Sequence, residues 1–485
     1  MITLDERKNT LKTLNLLLEN ERDNICCALK KDLNKNHFET YYLEIRQVQH
    51  DIQYHLDNID YWINEKIFIN PFRYLTLFLT GNAKVEIEYK PRGKVLIIGA
   101  WNYPINLCLQ PLVGSISAGN KTLVVFPAQE YTPVTSNLMI KLFDKYFNND
   151  KSICAIIGGK NNVTIELQKK WDYIFYTGSL NVGKQIYLEA AKKFTPISLE
   201  LGGKSPCIVE EQYNMKLLVK RIVWGKLVNC GQTCISPDYF LVDKKYGDKF
   251  VKLLIDTIKE FYGNKIDLSN DYGRIVNNEA FDRLTNIINN DKNNIIYGGN
   301  INKENLYIQP TIINFKTDKE TFLNSLCMKA EIFGPILPIY YYENKVEINK
   351  ILEINPDPLV TYLFCKDNDF LDNFRTGSLI INDTLIQMAS PIPFGGIGNS
   401  GIGQYHGKYS FELFSYKRPK LIRKTYGEIP ARFPPYNIFW KKKMIAISQI
   451  IFSFRYLNKL YEIIKNTWIY ILLLLMLYKK LYIFN

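Results

Sequence analysis

Short apolar runs alternate with longer segments of helical periodicity through the first half of the chain. The run Lys94-Val-Leu-Ile-Ile-Gly99 is apolar after its first residue and ends in glycine, which is typical of a strand buried on both faces of a sheet. Strands are predicted over residues 94–99, 122–126, 153–157, 173–176 and 197–199, and helices between them over residues 104–118, 134–147, 162–170 and 182–193. This succession predicts the α/β fold class, with a parallel sheet at its centre.

The pattern predicts other elements outside this alternating region. A helix is predicted over residues 4–32, with an apolar face formed by Leu11, Leu14, Leu17 and Leu18. A second helix is predicted over residues 39–64. Residues 85–89 alternate apolar and charged side chains, which is typical of a half-exposed antiparallel strand. Asn-rich residues 286–294 and 300–305 are predicted to be surface loops.

Composition and cysteine usage narrow the class of protein. The chain has 485 residues, 47% of them hydrophobic and 22% charged, which suits a globular protein of two or three domains. Its nine cysteines show neither the spacing of a metal site nor a disulfide framework, so we predict a reducing compartment and no bound metal. The first ten residues lack the apolar segment of a secretory signal, which predicts synthesis in the cytosol.

The net charge of +13 would suit nucleic-acid binding, but its position along the chain argues against that function. More than half of the excess lies after Trp440, where Glu462 is the only acid and the cations are Lys441, Lys442, Lys443, Arg455, Lys459, Lys465, Lys479 and Lys480. Large apolar residues separate these cations, a composition that favours an anionic membrane surface. We therefore predict no nucleic-acid partner, and a membrane contact through residues 440–485.

The C-terminal tail, residues 426–485, has three interpretations. Residues 444–464 can form an amphipathic helix, and residues 467–478 are an uninterrupted apolar run. A bilayer-spanning helix needs about 20 apolar residues, a length approached only if the run continues to Phe484 and the two intervening lysines extend to the interface. A tail anchor is the preferred interpretation. The alternatives are a helix lying in the membrane interface and a helix packed over a partner subunit's substrate entrance.

Residues 226–239 carry the most specific candidate chemistry, with Cys234 at their centre. They follow a helix predicted over residues 215–226 from the spacing of Leu217, Leu218, Arg221, Ile222 and Trp224. The Gly-Gln-Thr before Cys234 suits a tight loop whose backbone N–H groups point toward the sulfur, and such donors stabilise a thiolate or an oxyanion. The alternative for any single cysteine is a buried residue that only fills space.

Residues 176–185, Tyr-Thr-Gly-Ser-Leu-Asn-Val-Gly-Lys-Gln, lie between a predicted strand and a predicted helix. Glycines there would let backbone amides at the helix N-terminus face a phosphate. Gly178, Gly183 and Lys184 also match a P-loop, but Gln185 lacks the hydroxyl that would bind magnesium, which disfavours a nucleoside triphosphatase. A plain strand-to-helix turn is the other alternative, and this stretch alone does not separate the two.

Two further polar residues lie beside predicted strands. Glu200 sits in an apolar strand before a glycine pair, where burial should raise its pKa toward the range of a general base. The alternative is a carboxylate held by backbone donors or by Lys204. Asn102 follows the strand over residues 94–99, at the carboxyl edge where open α/β sheets bind ligands, and is either a turn residue or an oxyanion donor.

The segments around Asn102, residues 176–185, Glu200 and Cys234 together resemble the aldehyde dehydrogenase superfamily, as do Glu331-Ile-Phe-Gly-Pro335 and Pro393-Phe-Gly-Gly-Ile-Gly-Asn-Ser-Gly401. Their details are similar to the class 3 branch, which includes fatty aldehyde dehydrogenases. The resemblance implies NAD(P)-dependent oxidation of aldehydes to carboxylic acids by a homodimer. It also implies a Rossmann-type cofactor domain over residues 1–203 and a catalytic domain over residues 204–395. Strand 84–90 would belong to an oligomerisation arm. Residues 396–425 would return to the cofactor domain and the arm, and residues 426–485 would form the tail.

The resemblance also assigns roles to the matching residues. Cys234 would attack the aldehyde to form a thiohemiacetal, whose oxyanion is held by the Asn102 side chain and the Cys234 backbone N–H. After hydride transfer to the nicotinamide, Glu200 would activate the water that hydrolyses the thioester. The implied cofactor-binding residues are Glu331 on the nicotinamide ribose, Phe333 near the ring, Gly178, Ser179 and Gly183 at the pyrophosphate or the helix beside it, Trp101 and Glu130.

Residues 124–130 depart from the family pattern. Where the family usually has Lys-Pro-Ser/Ala-Glu after the second strand, this chain has Val124-Val-Phe-Pro-Ala-Gln-Glu130, without the lysine that contacts the adenosine ribose. Loss of a charge-assisted hydrogen bond costs about 1.5–3 kcal/mol, so we expect weaker cofactor binding and an altered preference between NAD and NADP. Glu130 aligns with the family's acidic residue and would disfavour a 2′-phosphate.

Two functions stay open at this point. The first is an active dehydrogenase of medium- or long-chain fatty aldehydes, on the cytoplasmic face of the endoplasmic reticulum or another organelle. The second is a membrane-attached binding or scaffold protein that keeps the fold without turnover. Cys230, four residues before Cys234, likewise has two interpretations: a packed small residue, or the partner of a reversible disulfide that protects Cys234.

Overall fold

A computed structural model describes residues 2–64, 84–210, 214–366 and 375–426, together with positions 433–435, 442, 445 and 446. The chain divides into two compact units, Met1–Asn64 with Tyr89–Lys417, and Glu65–Glu88 with Arg418–Asn485. Almost all of the predicted tail helices, residues 444–464 and 467–478, lies outside the described residues. Within the described part of the chain, no helix is both long and apolar enough to cross a membrane.

The N-terminal region is helical, as predicted. It comprises α1 (Leu4–Asn20), α2 (Arg22–Leu33), α3 (His37–Thr40), a π-helical segment (Tyr41–Ile45) and α4 (Arg46–Asn64). The predicted apolar face of α1 is confirmed, because Leu11, Leu14, Leu17 and Leu18 are all buried. The single helix predicted over residues 4–32 is wrong, since Glu21 leaves the helical conformation at φ −103° and separates α1 from α2.

The first sheet arises from the predicted alternation of strand and helix. Its elements are β2 (Lys94–Ile98), α5 (Asn106–Ala118), β3 (Lys121–Phe126), α6 (Pro133–Phe147), β4 (Ile153–Ile157), α7 (Lys160–Gln168), β5 (Tyr173–Thr177), α8 (Leu180–Ala191), β6 (Ile197–Glu200) and β16 (Gly401–Ile402). The strand order is β16-β6-β5-β2-β3-β4, with β2 to β6 parallel and β16 antiparallel. The predicted α/β class with a parallel sheet is therefore confirmed.

The second sheet is formed by the following part of the chain. Its strands, in the order β15-β14-β7-β8-β13-β12-β9, are β15 (Ser378–Ile381), β14 (Val360–Phe364), β7 (Pro206–Val209), β8 (Tyr239–Asp243), β13 (Ile336–Tyr342), β12 (Thr311–Asn314) and β9 (Ile295–Tyr297). All are parallel except β9. The associated helices are α9 (Met215–Leu227), α10 (Gly247–Tyr262), α11 (Asn278–Asn290), α12 (Lys319–Asn324), α13 (Leu326–Lys329) and α14 (Lys345–Leu352), whereas α15 (Gly407–Leu413) packs against α4 and α5.

Two small antiparallel elements complete the described fold. Strands β10 (Ile301–Asn302) and β11 (Tyr307–Ile308) form a hairpin, and β1 (Lys84–Pro91) pairs with β17 (Ser415–Ile422) in a two-stranded sheet. The strand predicted over residues 85–89 is thus confirmed as part of β1. Its role as an oligomerisation arm and the predicted domain limits, including the boundary at residue 203, stay predictions.

The Asn-rich loop predicted over residues 286–294 is wrong, because α11 extends to Asn290. The Asn277 side chain caps this helix by accepting a hydrogen bond from the Ala280 N–H at 3.0 Å. The helix buries one apolar face, formed by Phe281, Leu284, Ile287 and Ile288. Packing of that face outweighs the weak helix propensity of asparagine on the opposite side.

Helix α9 confirms the prediction for residues 215–226, but its buried face differs from the predicted one. Leu217 and Trp224 are 45% and 39% exposed, whereas Leu218 and Ile222 are buried together with Val219 and Val223. The four apolar residues and Arg221 of the predicted set, spread over eight positions, span more than one helix face. The side chains on its margins therefore face solvent.

The backbone carbonyl of Asn102 joins the loop after β2 to the loop after α9. It accepts hydrogen bonds from the Lys35 ammonium at 3.0 Å and from the Asn229 side-chain amide at 2.8 Å. The side-chain amides of Asn102 and Asn229 both donate to the Gln232 carbonyl, at 3.1 and 3.2 Å. Because all four residues are buried, these bonds fix the two loops relative to each other.

A buried ion pair supports this junction. Lys35 follows the left-handed Asn34 that ends α2, and its ammonium lies 2.6 Å from a Glu44 carboxylate oxygen with both side chains fully buried. The second Glu44 oxygen accepts the Ile105 N–H at 2.9 Å. The ammonium also lies 4.1 Å from the centre of the Tyr103 ring. The positive charge of Lys35 is therefore balanced by the Glu44 carboxylate, the Asn102 carbonyl and the Tyr103 ring, and these contacts also hold residues 102–105 in place.

Replacement of Lys35 by methionine should destabilise the protein strongly. Removing one partner of a buried pair leaves the Glu44 carboxylate uncompensated, which typically costs about 3–5 kcal/mol. The free energy of unfolding, measured by urea denaturation, tests this expectation. The control is Lys8→Met, which removes a solvent-exposed pair with Asp60 and should cost about 0–1 kcal/mol. A Lys35→Met loss no larger than that of the control would contradict the role of the pair.

Candidate active site

A cavity of about 1030 Å³ lies at the carboxyl edge of the first sheet. Its lining includes residues that directly follow β2, β3, β4, β5 and β6, which is the edge where open α/β sheets bind ligands. The lining contains nearly all of the predicted site residues: Trp101, Asn102, Glu130, Gly178, Ser179, Glu200, Cys234, Glu331 and Phe333. The structure therefore brings together residues that are more than 200 positions apart in the chain.

The loop before Cys234 reverses the chain through three left-handed residues. Asn229, Cys230 and Gly231 have φ values of 50°, 55° and 74°. At Gly231 a side chain would be excluded, because a Cβ atom would lie 2.4 Å from the Gly334 carbonyl oxygen. Asparagine tolerates the left-handed conformation, whereas Cys230 adopts it at some cost in strain. This reversal turns Cys234 back toward the cavity.

The Cys234 thiol is partly exposed to the cavity and has the predicted backbone donors. The N–H groups of Cys234 and Ile235 donate to the sulfur and lower its pKa. Burial has the larger effect and raises the pKa of Cys234 above its usual range, and the charges of Glu331 and Glu200 raise it further. In the protein alone, the thiol form is therefore favoured at neutral pH.

Glu200 is a buried carboxyl group at the end of β6. Among the described residues, neither of its carboxylate oxygens has a hydrogen-bond partner. Burial raises the pKa of Glu200 well above its usual range. The alternative that Lys204 holds this carboxylate is wrong, because the Lys204 ammonium is paired with Asp238 and donates to the Cys327 carbonyl at 2.6 Å.

Asn102 lies in the turn after β2, with its side chain buried beside the cavity. One hydrogen of its side-chain amide is directed to the Gln232 carbonyl at 3.1 Å. An amide nitrogen carries two hydrogens, so one donor is left for a group inside the cavity. Asn102 is thus both a turn residue and an available donor, and its two sequence interpretations are compatible.

Glu331 is held in the cavity by the pair formed by Lys204 and Asp238. Lys204 donates to the Ala330 carbonyl at 3.1 Å, and Asp238 accepts the Ile332 N–H at 2.9 Å, so the peptide groups on both sides of Glu331 are fixed. Burial raises the pKa of Glu331 to about 8, with a further increase from Asp238. This positioning by Lys204 and Asp238 was not predicted, since the residues are 34 positions apart.

The glycine pair after Glu200 makes room for Glu331. A Cβ atom at Gly202 would lie 2.0 Å from a Glu331 carboxylate oxygen, so any side chain there would displace the carboxylate. The backbone N–H of Gly203 donates to the same carboxylate and lowers its pKa. Gly202 therefore has a steric reason, and Gly203 contributes its backbone N–H.

Aromatic rings form one wall of the cavity. The Trp101 ring packs edge-on against Phe333 at 5.5 Å and parallel to Tyr131 at 6.0 Å between ring centres. Tyr131, Phe394 and Tyr405 also line the cavity and were not predicted. The sequence signals for them are weak, since each is an isolated aromatic residue next to a turn or a glycine-rich segment.

The three predicted residues of the loop after β5 divide into two groups. Gly178 and Ser179 line the cavity, and the Ser179 hydroxyl accepts the Val182 N–H at 3.5 Å as the N-cap of α8. Gly183 lies inside α8, outside the cavity lining. A Cβ atom at Gly183 would lie 2.8 Å from a methyl group of Leu201, so the glycine allows α8 to pack closely on the loop after β6.

Cys230 does not share the environment of Cys234. Its thiol is fully buried, next to Gly273 and Tyr272, and burial raises its pKa to about 12. Both cysteines are free thiols. These contacts favour the interpretation of Cys230 as a packed small residue over a redox partner.

The cavity suits a nicotinamide dinucleotide. Its volume lies at the upper end of the range of about 300–1,000 Å³ that is usual for ligand pockets. One end is lined by Cys234, Glu200, Glu331 and Phe333, whereas Gly178 and Ser179 lie at the N-terminus of α8, where anions bind. Pro127, Ala128, Glu130 and Tyr131 line the cavity after β3, and Gly158 to Lys160 line it after β4.

The comparisons with known proteins agree with this geometry. The model of the aldehyde dehydrogenase family matches residues 1–419. A family 3 aldehyde dehydrogenase of Dictyostelium discoideum is 39% identical over 443 residues, 90% of this chain and 91% of that protein. The 4,4′-diaponeurosporen-aldehyde dehydrogenase of Staphylococcus aureus is 39% identical over 436 residues, 89% of this chain and 92% of that protein.

A solved structure supports the same assignment. The substrate-bound state of S. aureus AldH has a TM-score of 0.85 and 37% identity, and the match covers 92% of this chain and 95% of that one. The resemblance to the class 3 branch is therefore confirmed, and so is the use of NAD or NADP that it implies. The chain belongs to the aldehyde dehydrogenase family and is an oxidoreductase that converts aldehydes with NAD or NADP.

Proposed function

We propose that Cys234 is the nucleophile and that Glu200 and Asn102 complete the reaction centre. Cys234 loses its thiol proton to solvent water, and its sulfur bonds to the aldehyde carbon. The former carbonyl oxygen, now the oxyanion of the thiohemiacetal, accepts hydrogen bonds from the Asn102 amide and the Cys234 N–H. The dinucleotide, when bound, supplies the hydride acceptor. Glu200 then takes a proton from the water that attacks the thioester, which releases the carboxylic acid and restores Cys234.

The unpaired carboxyl group of Glu200 is the observation that carries this proposal. A buried carboxyl without a hydrogen-bond partner in the described residues is costly to ionise, and such groups are concentrated where a base with a raised pKa is needed. It lines the same cavity as a thiol with two backbone donors and an amide with one free hydrogen. Acyl transfer through a thioester needs these three groups.

The remaining cavity residues are proposed to hold the dinucleotide. Glu331 is suited to the hydroxyls of the nicotinamide ribose because the peptide groups on both sides of it are fixed and the Gly203 N–H donates to its carboxylate. Phe333 and Trp101 form an apolar wall beside it. Gly178 and Ser179 are suited to the pyrophosphate, since they expose backbone at the start of α8. Glu130, which is exposed at the cavity, is proposed to face the adenosine ribose.

We further propose a medium- or long-chain aldehyde as substrate, a homodimer as the assembly, and attachment of residues 440–485 to the cytoplasmic face of an organelle such as the endoplasmic reticulum. The aromatic and apolar residues Leu107, Phe394 and Tyr405 on the cavity lining suit an apolar chain. The S. aureus relative is named as a dehydrogenase of 4,4′-diaponeurosporen-aldehyde. The alternation of cations and large apolar residues after Trp440 suits a membrane surface.

The nucleophile is tested by Cys234→Ala. NADH formation from NAD and a long-chain aldehyde, followed by absorbance, should fall below detection, because no thiohemiacetal can form. The matched control is Cys154→Ala, which removes an exposed thiol in β4 and should retain full activity. Undiminished activity of Cys234→Ala would refute the proposed nucleophile. An inactive unmodified protein that still binds NADH would support the alternative, a membrane-attached binding or scaffold protein.

The base is tested by Glu200→Gln with rapid mixing. Hydride transfer should still give about one equivalent of NADH per site, whereas the following steady state should be slower by roughly 10²–10⁴-fold. Burial raises the pKa of Glu200, so the steady-state rate of the unmodified enzyme should rise with pH as this group deprotonates, and the variant should lose that dependence. Glu353→Gln, an exposed site outside the cavity, is the control. Unchanged steady-state turnover would contradict the role.

The tail is tested by cell fractionation. The full chain should sediment with membranes and require detergent for release, whereas a chain that ends at Tyr426 should remain in the soluble fraction. Extraction by high salt alone would indicate an electrostatic surface contact, and extraction only by detergent would indicate burial of apolar residues. Full solubility of the complete chain without detergent would exclude both membrane interpretations.

A further inference from the structure

We propose that Lys160 replaces the lysine that this chain lacks after β3, and that it binds the adenosine-ribose end of the dinucleotide with a preference for a 2′-phosphate. The inference rests on the cavity and on the use of NAD or NADP. It does not depend on the proposed roles of Cys234 and Glu200.

The end of β3 itself cannot supply a cation. Phe126, the last residue of β3, is fully buried and packs edge-on against Phe143 at 5.5 Å between ring centres. The residues that follow it in the cavity lining are Pro127 and Ala128, and then the exposed acid Glu130. Polar contacts from this loop to a ribose can therefore come from backbone groups, from the Tyr131 hydroxyl or from the Glu130 carboxylate, and none of these is a cation.

The neighbouring strand brings a cation to the same edge. Strands β3 and β4 are parallel with Phe126 opposite Ile157, and the Gly158 N–H donates to the Phe126 carbonyl at 2.7 Å. The contact is close enough to require glycine, since a Cβ atom at Gly158 would lie 2.8 Å from that carbonyl oxygen. Lys160 begins α7 two residues later and lines the cavity.

The Lys160 ammonium is available to a ligand. Its side chain is exposed, and among the described residues it makes neither an ion pair nor a hydrogen bond. The other acid on this part of the lining, Glu189, is paired with Lys192 at 2.6 Å, and Gln168 and Gln185 are neutral. At this end of the cavity lining, Lys160 and Glu130 are therefore the positive and the negative side chain that can interact with the ligand.

This pair of charges predicts how the two cofactors are distinguished. An ammonium interacts more strongly with a phosphate dianion than with a ribose hydroxyl, whereas the Glu130 carboxylate accepts a hydroxyl and repels a phosphate. Lys160 therefore favours NADP and Glu130 favours NAD. The protein should use both dinucleotides. The absence of the lysine that the family usually has after β3 should weaken the binding of NAD more than that of NADP.

Binding of NADH and NADPH, measured by fluorescence titration without aldehyde, tests the proposal. Lys160→Ala should weaken the binding of NADPH by roughly tenfold, or about 1.4 kcal/mol, and the binding of NADH by a smaller factor. It should also reduce the salt dependence of NADPH binding, because one phosphate contact is lost. Lys160→Arg should keep NADPH affinity within about threefold, and Glu130→Gln should tighten NADPH relative to NADH.

Lys170→Ala is the matched control, because this lysine follows the opposite end of α7 and lies outside the cavity. It should leave both affinities unchanged. Equal weakening of NADH and NADPH by Lys160→Ala, or a change no larger than that of Lys170→Ala, would overturn the proposal. Because no turnover is measured, an inactive enzyme that binds NADPH normally would count against the proposed reaction centre but not against Lys160.

Discussion

The hydrogen bonds on the Asn102 carbonyl are the constraint on which the site depends. Residues from the first sheet, from the N-terminal helices and from the loop after α9 all meet at this one oxygen through Lys35 and Asn229. The carbonyl has two lone pairs, and both are used by buried donors. The Asn102 side chain cannot move relative to Cys234 without breaking these buried hydrogen bonds. The positions of the proposed oxyanion donor and of the thiol are therefore fixed before any ligand binds.

The two carboxyl groups on the cavity lining, Glu331 and Glu200, are held in opposite ways. Glu331 is fixed by the peptide groups on both sides of it, which are bound by Lys204 and Asp238, and by the N–H of Gly203. Glu200 has no hydrogen-bond partner among the described residues, so burial raises its pKa without any opposing contact. A carboxylate that orients a ligand needs fixed geometry, whereas a base needs a raised pKa and an unoccupied lone pair. The two environments therefore match the two proposed roles.

The sequence predicts the first sheet well. Each buried parallel strand is a short apolar run, and each connecting helix shows apolar residues at helical spacing. The motifs also single out Cys234, Glu200, Asn102 and Glu331, which the structure places on one cavity lining. It does not predict the contacts between distant segments, such as Lys35 with Asn102, because a buried lysine looks like a surface lysine in the sequence. Local composition was misleading in α11, where a polar face rich in asparagine concealed a buried apolar face.

The charges around Cys234 explain how a reactive thiol is kept stable in the free protein. Burial raises the pKa of Cys234, the charges of Glu331 and Glu200 raise it further, and the backbone N–H groups of Cys234 and Ile235 lower it. Oxidation and alkylation require the thiolate, so the same surroundings that delay attack on an aldehyde also limit damage to the sulfur. Protection of this kind needs no second cysteine, which agrees with the packing of Cys230 away from the cavity. The cost is that the thiol becomes a good nucleophile only when it loses its proton, which burial and the two nearby carboxyl groups oppose.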